Sequence, residues 1–264
     1  MDVSEVLADL IDEQEALDAV VATLTAEQLA LPTPSPRWTA ADQLAHLTFF
    51  DRSAALAIRD SEAFANSVLE LIEVAAQGDE AIDEFTLGLW RHLRPTDLLQ
   101  VWREGRSRLA TEAATLQNGD RVPWYGPTMG SKSFLTARLM EVWAHGQDIV
   151  DTVGVDRPAT DRLRHIVQLG VITRTWSYVN RGLEAPEGDV LVVLTSPSGE
   201  TWTFGGDTDN VIAGPAEDFC LVVTQRRNVD DTALRLEGER AQGWMRVAQA
   251  FAGPATDGPA ARRN

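Results

Sequence analysis

Glu141, His145 and His46 carry the side chains in this sequence that are best suited to metal chemistry. Glu141 and His145 lie four residues apart, a spacing that brings a carboxylate and an imidazole onto one face of an α-helix. Both groups are zinc ligands, but two protein ligands do not complete a site. The strongest candidate for a third ligand is His46, far upstream in a second predicted helix. The pattern therefore predicts a site for a divalent metal ion, with zinc favoured.

The sequence also leaves a simpler interpretation open for each of these residues. A lone histidine on a helix is more often a hydrogen-bonded core or surface residue than a metal ligand. A glutamate and a histidine at this spacing commonly form a surface ion pair or a buried hydrogen bond. Spacing by itself does not decide between these interpretations and a metal site.

The residues around Glu141 have the period of a helix. Apolar positions recur at alternating intervals of four and three residues, the spacing of one buried face. These positions are Leu135, Leu139, Val142, Gly146 and Ile149. A polar line runs one residue before the last four of them, at Arg138, Glu141, His145 and Asp148. Because the two lines are adjacent, both are expected to face the inside of a helical bundle, and Ser131 or Ser133 is expected to cap the helix.

The helix of His46 is expected to begin after a proline-rich loop. The prolines of the segment 31–36 are too close together for a helix to continue there. Thr39 is suited to the N-cap, and Asp42 follows three residues later, as in a capping box. Apolar residues at helical spacing follow, so His46 is predicted in the second turn of a core helix.

These two segments together resemble a known family. His46 stands in W-T-x-x-D-x-L-x-H-L, and Glu141 and His145 stand in R-L-M-E-x-W-x-H-G-x-D-I. Both are similar to the metal-binding segments of DinB-like bundles, and most similar to the actinobacterial branch that includes mycothiol-dependent maleylpyruvate isomerase. The resemblance implies that His46, Glu141 and His145 hold a divalent metal ion, usually zinc. It also implies mycothiol, a low-molecular-weight thiol, as the cosubstrate.

The resemblance covers most of the chain and implies an α+β fold. The expected order is an N-terminal DinB-like four-helix bundle, residues 1–184, and a smaller sterol-carrier-like α/β domain, residues 185–252. A disordered tail is expected over residues 253–264. Composition supports the boundary, because residues 182–188 are rich in Gly, Pro and Glu. One helix is predicted over 160–180, and a β-hairpin is predicted over 190–205.

Three charged residues near the predicted metal site have two interpretations each. Asp42 and Asp148 lie one turn from a histidine of the predicted site. Each is placed to approach the imidazole or a nearby water, or else to serve as a structural carboxylate on its own helix. Arg138 is suited to bind a substrate carboxylate through two hydrogen bonds, or to pair with Glu141 within the helix.

Two further pairs of residues are candidates for substrate contacts. Trp124 and Tyr125 lie in the segment 121–131, whose Pro, Gly and aromatic residues predict a connection with little regular structure. They are expected either to contact a substrate or to cap the end of the core. Arg226 and Arg227 end a predicted helix in the C-terminal part, where the resembled family can supply an arginine to the cleft.

The remaining histidines and the single cysteine are interpreted as structural. His92 precedes Pro95 at the end of a predicted helix and is expected to face solvent. His165 stands among apolar packing positions. Cys220 lies in an apolar run, which indicates a buried thiol, and a lone cysteine excludes an internal disulfide.

The charge balance restricts the partners of the protein. Asp and Glu number 40 against 23 Lys and Arg, a net charge of −17, which argues against nucleic acid and anionic membranes. No apolar run is long enough for a transmembrane helix, and the acidic N-terminus is unlike a signal peptide. We therefore expect a cytoplasmic protein, monomeric or homodimeric, with a small-molecule substrate and no nucleic-acid or membrane partner.

With the family resemblance, the three candidate ligands imply a zinc-dependent enzyme that activates a thiol, most of all mycothiol, for isomerisation or S-transfer on a small electrophilic substrate. Bound zinc lowers the pKa of a coordinated thiol or water, so either becomes a nucleophile near neutral pH. Two other functions fit the same three ligands. One is a metal-binding stress or ligand-binding protein without turnover, and the other is a hydrolase that uses metal-bound hydroxide.

Overall fold

The computed structural model describes residues 2–206 and 209–262, and it divides into two compact units. The first unit is Met1–Arg157 and the second is Pro158–Asn264. Helices make up most of the first unit, whereas the second combines helices with a four-stranded sheet. The expectation of a mixed helical and sheet protein is therefore confirmed.

Seven helices and one small hairpin form the first unit. The helices are α1 (Val3–Val21), α2 (Ala26–Leu29), α3 (Ala40–Arg59), α4 (Ser61–Ala75), α5 (Asp79–Arg91), α6 (Pro95–Ala113) and α7 (Ser131–Val153). The hairpin pairs β1 (Arg121–Val122) with β2 (Met129–Gly130) in antiparallel register. The segment expected to have little regular structure therefore contains two short strands, which join α6 to α7.

Local capping sets where the two helices that carry the predicted ligands begin. Thr39 Oγ1 accepts from the backbone N–H of Asp42, and Asp42 Oδ2 accepts from the backbone N–H of Thr39, so the predicted capping box of α3 is confirmed. The predicted serine cap of α7 is wrong. Gly130 occupies the N-cap, and the Ser131 hydroxyl donates instead to the carbonyl oxygen of Gln117.

The four long helices of the first unit contact one another in a closed ring. Helix α3 packs against α6 and α7, and α1 packs against α7 and α6. Each contributes fully buried side chains, among them Leu17 of α1, Leu44 of α3, Trp102 of α6 and Leu139 of α7. Burial of a side chain of this size stabilises the fold by about 1.5–3 kcal/mol. This packing holds α3 and α7 side by side, and these are the helices that carry the predicted ligands.

The second unit is built around a mixed sheet. Its strands are β3 (Leu191–Thr195), β4 (Thr201–Phe204), β5 (Val211–Pro215) and β6 (Arg235–Glu237), arranged in the order β4-β3-β5-β6. Strand β3 pairs antiparallel with β4 and parallel with β5, and β5 pairs antiparallel with β6. The predicted hairpin is confirmed, since Thr195 lies opposite Thr201 across its turn.

In the described part of the second unit, four α-helices accompany this sheet. They are α8 (Leu163–Ile172), α9 (Arg174–Val179), α10 (Ala216–Val223) and α11 (Glu239–Val247), with a short 3-10 helix at Val229–Asp231. The single helix predicted over 160–180 is thus interrupted at Thr173, which separates α8 from α9.

The compact units divide at Arg157, not at the predicted boundary of residue 184. Helix α8 packs against α10, and α9 packs against α11, so both belong to the second unit. The approach of α8 depends on Gly170, where an added Cβ would lie 2.9 Å from the ring of Phe219. The composition shift near residue 184 marks the end of the helices, whereas these contacts decide the unit to which they belong.

The described part of the predicted disordered tail, residues 253–262, contains no helix or strand but is hydrogen-bonded to the second unit. Gln249 donates to the Pro254 carbonyl oxygen at 3.1 Å, and Asn228 donates to that of Pro259 at 3.0 Å. The Arg262 backbone N–H reaches the Asp231 carboxylate at 3.0 Å. The prediction of disorder rested on composition, which does not show these contacts.

Among the helices formed by residues 2–206 and 209–262, none is both long and apolar enough to cross a membrane.

A buried ion pair links α1 to α6 and gives a first prediction. Asp18 accepts from Arg103 at 2.8 Å and from Arg106 at 2.5 Å. The hydrogen bond from Arg103 lowers the pKa of Asp18. We expect Asp18→Asn to lower the free energy of unfolding by about 1–3 kcal/mol at pH 7, measured by urea denaturation, because two arginines lose their buried partner.

The pH dependence of this loss follows from the direction of the pKa shift. A carboxylate whose folded pKa is lowered contributes fully above its unfolded pKa of about 3.9, and the contribution is lost as pH falls through the folded pKa. The difference between wild type and Asp18→Asn should therefore stay constant from neutral to mildly acidic pH and narrow only below about pH 4. Asp97→Asn, which removes an exposed partner of Arg94, is the control and should change stability much less. Equal losses in both variants would contradict the prediction.

Candidate metal centre

The structure brings the three predicted ligand residues together from two helices. His46 lies on α3, and Glu141 and His145 lie one turn apart on α7. His46 Nε2 is 3.4 Å and His145 Nε2 is 3.1 Å from the same carboxylate oxygen, Glu141 Oε2. One ligand atom from each residue lies within 4.8 Å of the other two. The three side chains keep 12–24% of their surface exposed, so the cluster is accessible to a small molecule.

Aromatic rings enclose the two imidazoles. The centroids of His46 and His145 lie 4.2 Å apart. The ring of Trp38 lies 5.0 Å from that of His46 and 6.1 Å from that of His145, and Phe50 lies 4.5 Å from His46. Sequence reasoning did not assign Trp38 or Phe50 to the site. The position of Phe50, one helical turn after His46, was a usable signal.

The protonation states of the cluster favour binding of a cation. The pKa of His46 is lowered to about 3, first because the ring is buried and second because His145 lies beside it. Burial alone raises the pKa of Glu141, but contacts with the rings of His145 and His46 outweigh it and hold this pKa well below its usual value. At neutral pH His46 is therefore neutral and Glu141 ionised, the forms in which these groups bind metals.

A glutamine that sequence reasoning missed contacts the cluster from the far side of His145. Gln43 Oε1 lies 2.6 Å from His145 Nδ1, and the Gln43 side chain is fully buried. Its Nε2 donates to the hydroxyl oxygens of Thr33 and Ser35, in the loop before α3. The available signal was its place three residues before His46 on the same helix, but a neutral amide did not enter a search for charged groups.

Asp42 and Asp148 differ in their relation to the cluster. Asp42 completes the cap of α3 with Thr39 and accepts from Arg91 of α5 at 2.8 Å, which corresponds to the structural interpretation. Asp148 Oδ2 lies 3.9 Å from His145 Nδ1, longer than a hydrogen bond. The nearer partner of that nitrogen is Gln43.

Arg138 takes part in a buried ion pair that neither interpretation included. Only 2% exposed, it donates from Nη2 to Asp51 Oδ1 at 2.9 Å. Gln14 donates to the other oxygen of Asp51 at 3.3 Å. Burial raises the pKa of Asp51, and the Arg138 charge opposes that shift. The arginine therefore points to α3, and the structure shows it neither paired with Glu141 nor open to a substrate.

Trp124 and Tyr125 contribute to an aromatic cluster between the short hairpin and the helices. The Trp124 ring is stacked on Phe64, with centroids 5.6 Å apart, and the Tyr125 hydroxyl lies 3.1 Å from Ser53 Oγ. These contacts agree with a role in capping the core. Phe50 connects this cluster to the imidazoles, since its ring lies 5.5 Å from Tyr125. A substrate contact for the pair remains a prediction.

Arg226 and Arg227 lie in the second unit, after α10, which ends at Val223 and not at Arg226 as predicted. Arg226 Nη1 donates to the Thr224 carbonyl oxygen at 2.6 Å, and Arg227 Nη1 donates to that of Arg226 at 2.8 Å. Both contacts stabilise the turn that follows α10. The supply of an arginine to the cleft remains a prediction.

The two remaining histidines and the cysteine have the surroundings that the sequence predicted. His92 is exposed at the C-terminal end of α5, and His165 is 5% exposed on α8. Cys220 is fully buried on α10, and burial raises the pKa of its thiol well above the usual value. A thiol in this state is a weak nucleophile.

Comparison with known proteins places the chain in a family. The model of the mycothiol maleylpyruvate isomerase N-terminal domain matches residues 10–150, more than half of the 264 residues. The chain belongs to this family. The matched range contains His46, Glu141 and His145, so the cluster lies within the part that defines the mycothiol maleylpyruvate isomerase N-terminal domain family.

Similar proteins agree with this family assignment. Two uncharacterized proteins of Mycobacterium tuberculosis, from strains CDC 1551 / Oshkosh and H37Rv, are each 44% identical over 249 residues, covering 94% of this chain and 95% of theirs. The crystal structure of the mycothiol-dependent maleylpyruvate isomerase has a TM-score of 0.55 at 15% identity, covering 86% of this chain and 90% of its own. The crystal structure of a point mutant of that isomerase has a TM-score of 0.56 at 14% identity, and the match covers 87% of this chain and 91% of the mutant chain. At this identity the structural similarity establishes the fold.

The buried ion pair of Arg138 predicts how replacing this side chain changes the stability of the protein. Arg138→Met should lower the free energy of unfolding by about 3–5 kcal/mol, because Asp51 loses its buried partner. Urea denaturation of the metal-free protein measures this. The double variant Arg138→Met/Asp51→Leu should recover part of the loss, since it leaves no unpaired charge.

An exposed arginine provides the control for this experiment. Arg108→Met changes a side chain on the outer face of α6 and should alter stability only slightly. If Arg138→Met were as stable as Arg108→Met, the ion pair with Asp51 would not be important for the fold, and the substrate-binding interpretation of Arg138 would regain support.

Proposed function

We propose that this member of the family is a metal-dependent enzyme that activates a low-molecular-weight thiol, mycothiol, for isomerisation or S-transfer on a small electrophilic substrate. The observation that carries the proposal is the convergence of His46 Nε2 and His145 Nε2 on Glu141 Oε2, at 3.4 and 3.1 Å. The family assignment supports the thiol, since the similar crystal structures are of a mycothiol-dependent isomerase. We also propose that the helical ring is a DinB-like four-helix bundle and the second unit a sterol-carrier-like domain.

The three side chains fit zinc in donor type and in distance. Two imidazole nitrogens and one carboxylate oxygen are a common ligand set of catalytic zinc sites, which keep a fourth position open. Zinc bonds of about 2.0–2.1 Å in tetrahedral geometry separate neighbouring donor atoms by about 3.3 Å. The two observed nitrogen–oxygen distances, 3.4 and 3.1 Å, lie on either side of that value. These two distances support zinc as the ion that the cluster would bind.

When bound, a zinc ion at this cluster supplies a positive charge that lowers the pKa of a coordinated thiol. Two neutral imidazoles and one carboxylate offset only one of its two charges, so the site favours an anion such as a thiolate. The rings of Trp38 and Phe50 flank the imidazoles and limit the access of water to them. Apolar rings in this position favour a thiol as the nucleophile, because they reduce the competition of water for the same electrophile.

The ligand assignment predicts which histidines control metal content. His46→Ala and His145→Ala should each lose most of the bound metal, because two remaining ligands hold zinc poorly, and the metal-replete wild type should be thermally more stable than either. Elemental analysis after zinc repletion and removal of excess zinc measures this. His92→Ala is the control, because His92 is exposed at the end of α5, and it should keep one equivalent. Stoichiometric metal in both cluster variants would exclude the ligand assignment.

The thiol assignment predicts that turnover depends on mycothiol. The zinc-loaded protein should bind mycothiol, detected by calorimetry, and lower the pKa of its thiol, detected by thiolate absorbance. With maleylpyruvate and other small cis-unsaturated acids, turnover should require both metal and thiol. An isomerase regenerates the thiol, whereas an S-transferase consumes it, so a thiol assay separates the two reactions.

The same assay separates the alternatives. Turnover that persists without thiol would indicate a hydrolase that uses metal-bound hydroxide. Bound metal without thiol binding or turnover on any of these acids would indicate a metal-binding protein. Either result would contradict the proposed thiol chemistry, although both would leave the metal site in place.

A further inference from the structure

The side chain of Gln43 contacts the imidazole of His145, and the inference drawn from this contact rests on the proposed metal function. Gln43 Oε1 lies 2.6 Å from His145 Nδ1, whereas His145 Nε2 faces Glu141 Oε2 at 3.1 Å. In metal sites, the hydrogen bond of the non-binding ring nitrogen fixes the tautomer and the orientation of the ring. The question is whether Gln43 presents its oxygen or its nitrogen to the imidazole, because the two are hard to distinguish by shape.

The loop before α3 decides the orientation of the amide. Gln43 contacts Thr33 Oγ1 at 2.8 Å and Ser35 Oγ at 3.1 Å. The Thr33 hydroxyl donates its one proton to the carbonyl oxygen of Trp38 at 3.0 Å, so it can only accept from Gln43. The amide group that faces Thr33 is therefore the NH₂, and the atom that faces His145 is the carbonyl oxygen.

This orientation assigns the proton of His145. The carbonyl oxygen of Gln43 has no proton to give, so His145 Nδ1 must be the donor of the 2.6 Å hydrogen bond. Because Nδ1–H donates to Gln43, Nε2 is the ring nitrogen left to face Glu141 Oε2, at 3.1 Å. A proton or a cation between Nε2 and this carboxylate oxygen is favourable there.

We propose that Gln43 is a positioning residue that holds His145 in the Nδ1–H tautomer and so keeps Nε2 unprotonated for a metal cation. Without Gln43, the other tautomer becomes favourable, because an Nε2–H donates directly to Glu141 Oε2. That hydrogen bond occupies the ligand atoms of both residues. Thr33 and Ser35 act through Gln43, since their hydroxyls fix the direction of its amide.

The tautomer is measured in the metal-free protein by ¹⁵N–¹H NMR of the histidine ring nitrogens at pH 8. Wild type should show a proton on His145 Nδ1, which donates to Gln43, whereas Gln43→Leu should lose the Nδ1 proton and keep a proton on Nε2. Gln43→Glu keeps an acceptor oxygen and should retain Nδ1–H. Gln14→Leu is the control, because it removes another buried glutamine of the same unit, whose amide donates to Asp51. An unchanged His145 tautomer in Gln43→Leu would overturn the proposal.

Zinc affinity, measured by competition with a chelator, gives the second readout. Gln43→Leu should bind zinc about 10–100-fold more weakly than wild type, the usual effect of removing a hydrogen-bond partner of a ligand. Gln43→Glu, which keeps an acceptor for Nδ1–H, should bind zinc more tightly than Gln43→Leu, and Gln14→Leu should bind zinc as wild type does. Equal affinity of Gln43→Leu and wild type would contradict the positioning role, even if the metal site itself were correct.

Two features of the design keep the outcomes separate. If wild type binds no zinc, the proposed metal function fails, whereas the tautomer measurement still tests the role of Gln43 because it uses metal-free protein. If Gln43→Leu does not fold, the double variant Thr33→Val/Ser35→Ala serves instead. This variant leaves the amide in place but removes both hydroxyls that fix its direction, so both tautomers of His145 should appear. A single Nδ1–H tautomer in this double variant would overturn the proposed role of the loop.

Discussion

The packing of α3 against α7 is the constraint on which the candidate metal centre depends. Neither helix contains three ligands, and the cluster exists because buried residues hold His46 within 3.4 Å of Glu141. The ion pair between Arg138 and Asp51 joins the same two helices one turn before Glu141. It joins a cation of α7 to an anion of α3 in a buried site, so it opposes sliding of one helix along the other. Sub-ångström placement of ligands requires such restraints, because a metal tolerates little error in distance.

The sequence predicted the parts of the site that follow from helical geometry. Glu141 and His145 were placed together by their spacing, and the capping box of α3 placed His46 in a core helix. The contact between the two helices did not follow from periodicity, which shows the buried face of each helix but not its partner. The prediction that all three residues meet came from the family resemblance. The hairpin of the second unit was predictable for a local reason, because turn residues lie between two β-branched runs.

Two features that the sequence did not predict depend on contacts between residues distant in sequence. The partner of Arg138 is Asp51, 87 positions away, whereas a pattern within one helix suggested only Glu141. The unit boundary at Arg157 follows from the packing of α8 on α10, which composition near residue 184 does not show. Gln43 was missed for a different reason: it has no charge, and its importance comes from two hydroxyls in a preceding loop.

That loop determines more of the site than its composition suggested. Besides fixing Gln43, it carries Trp38, whose Nε1 donates to Asp83 of α5 at 2.9 Å and whose ring covers both imidazoles. Arg37 adopts a left-handed backbone conformation, φ 67°, and donates to the same Asp83 at 2.8 Å. Such a conformation costs about 1 kcal/mol or more for a residue with a side chain, so the two bonds to Asp83 must offset it. The proposed ligands are therefore positioned by α3 and α7, whereas the proposed tautomer of His145 and the aromatic ring beside it depend on the loop and α5. Two family members with the same three residues can differ in the loop and in α5, and so in reactivity.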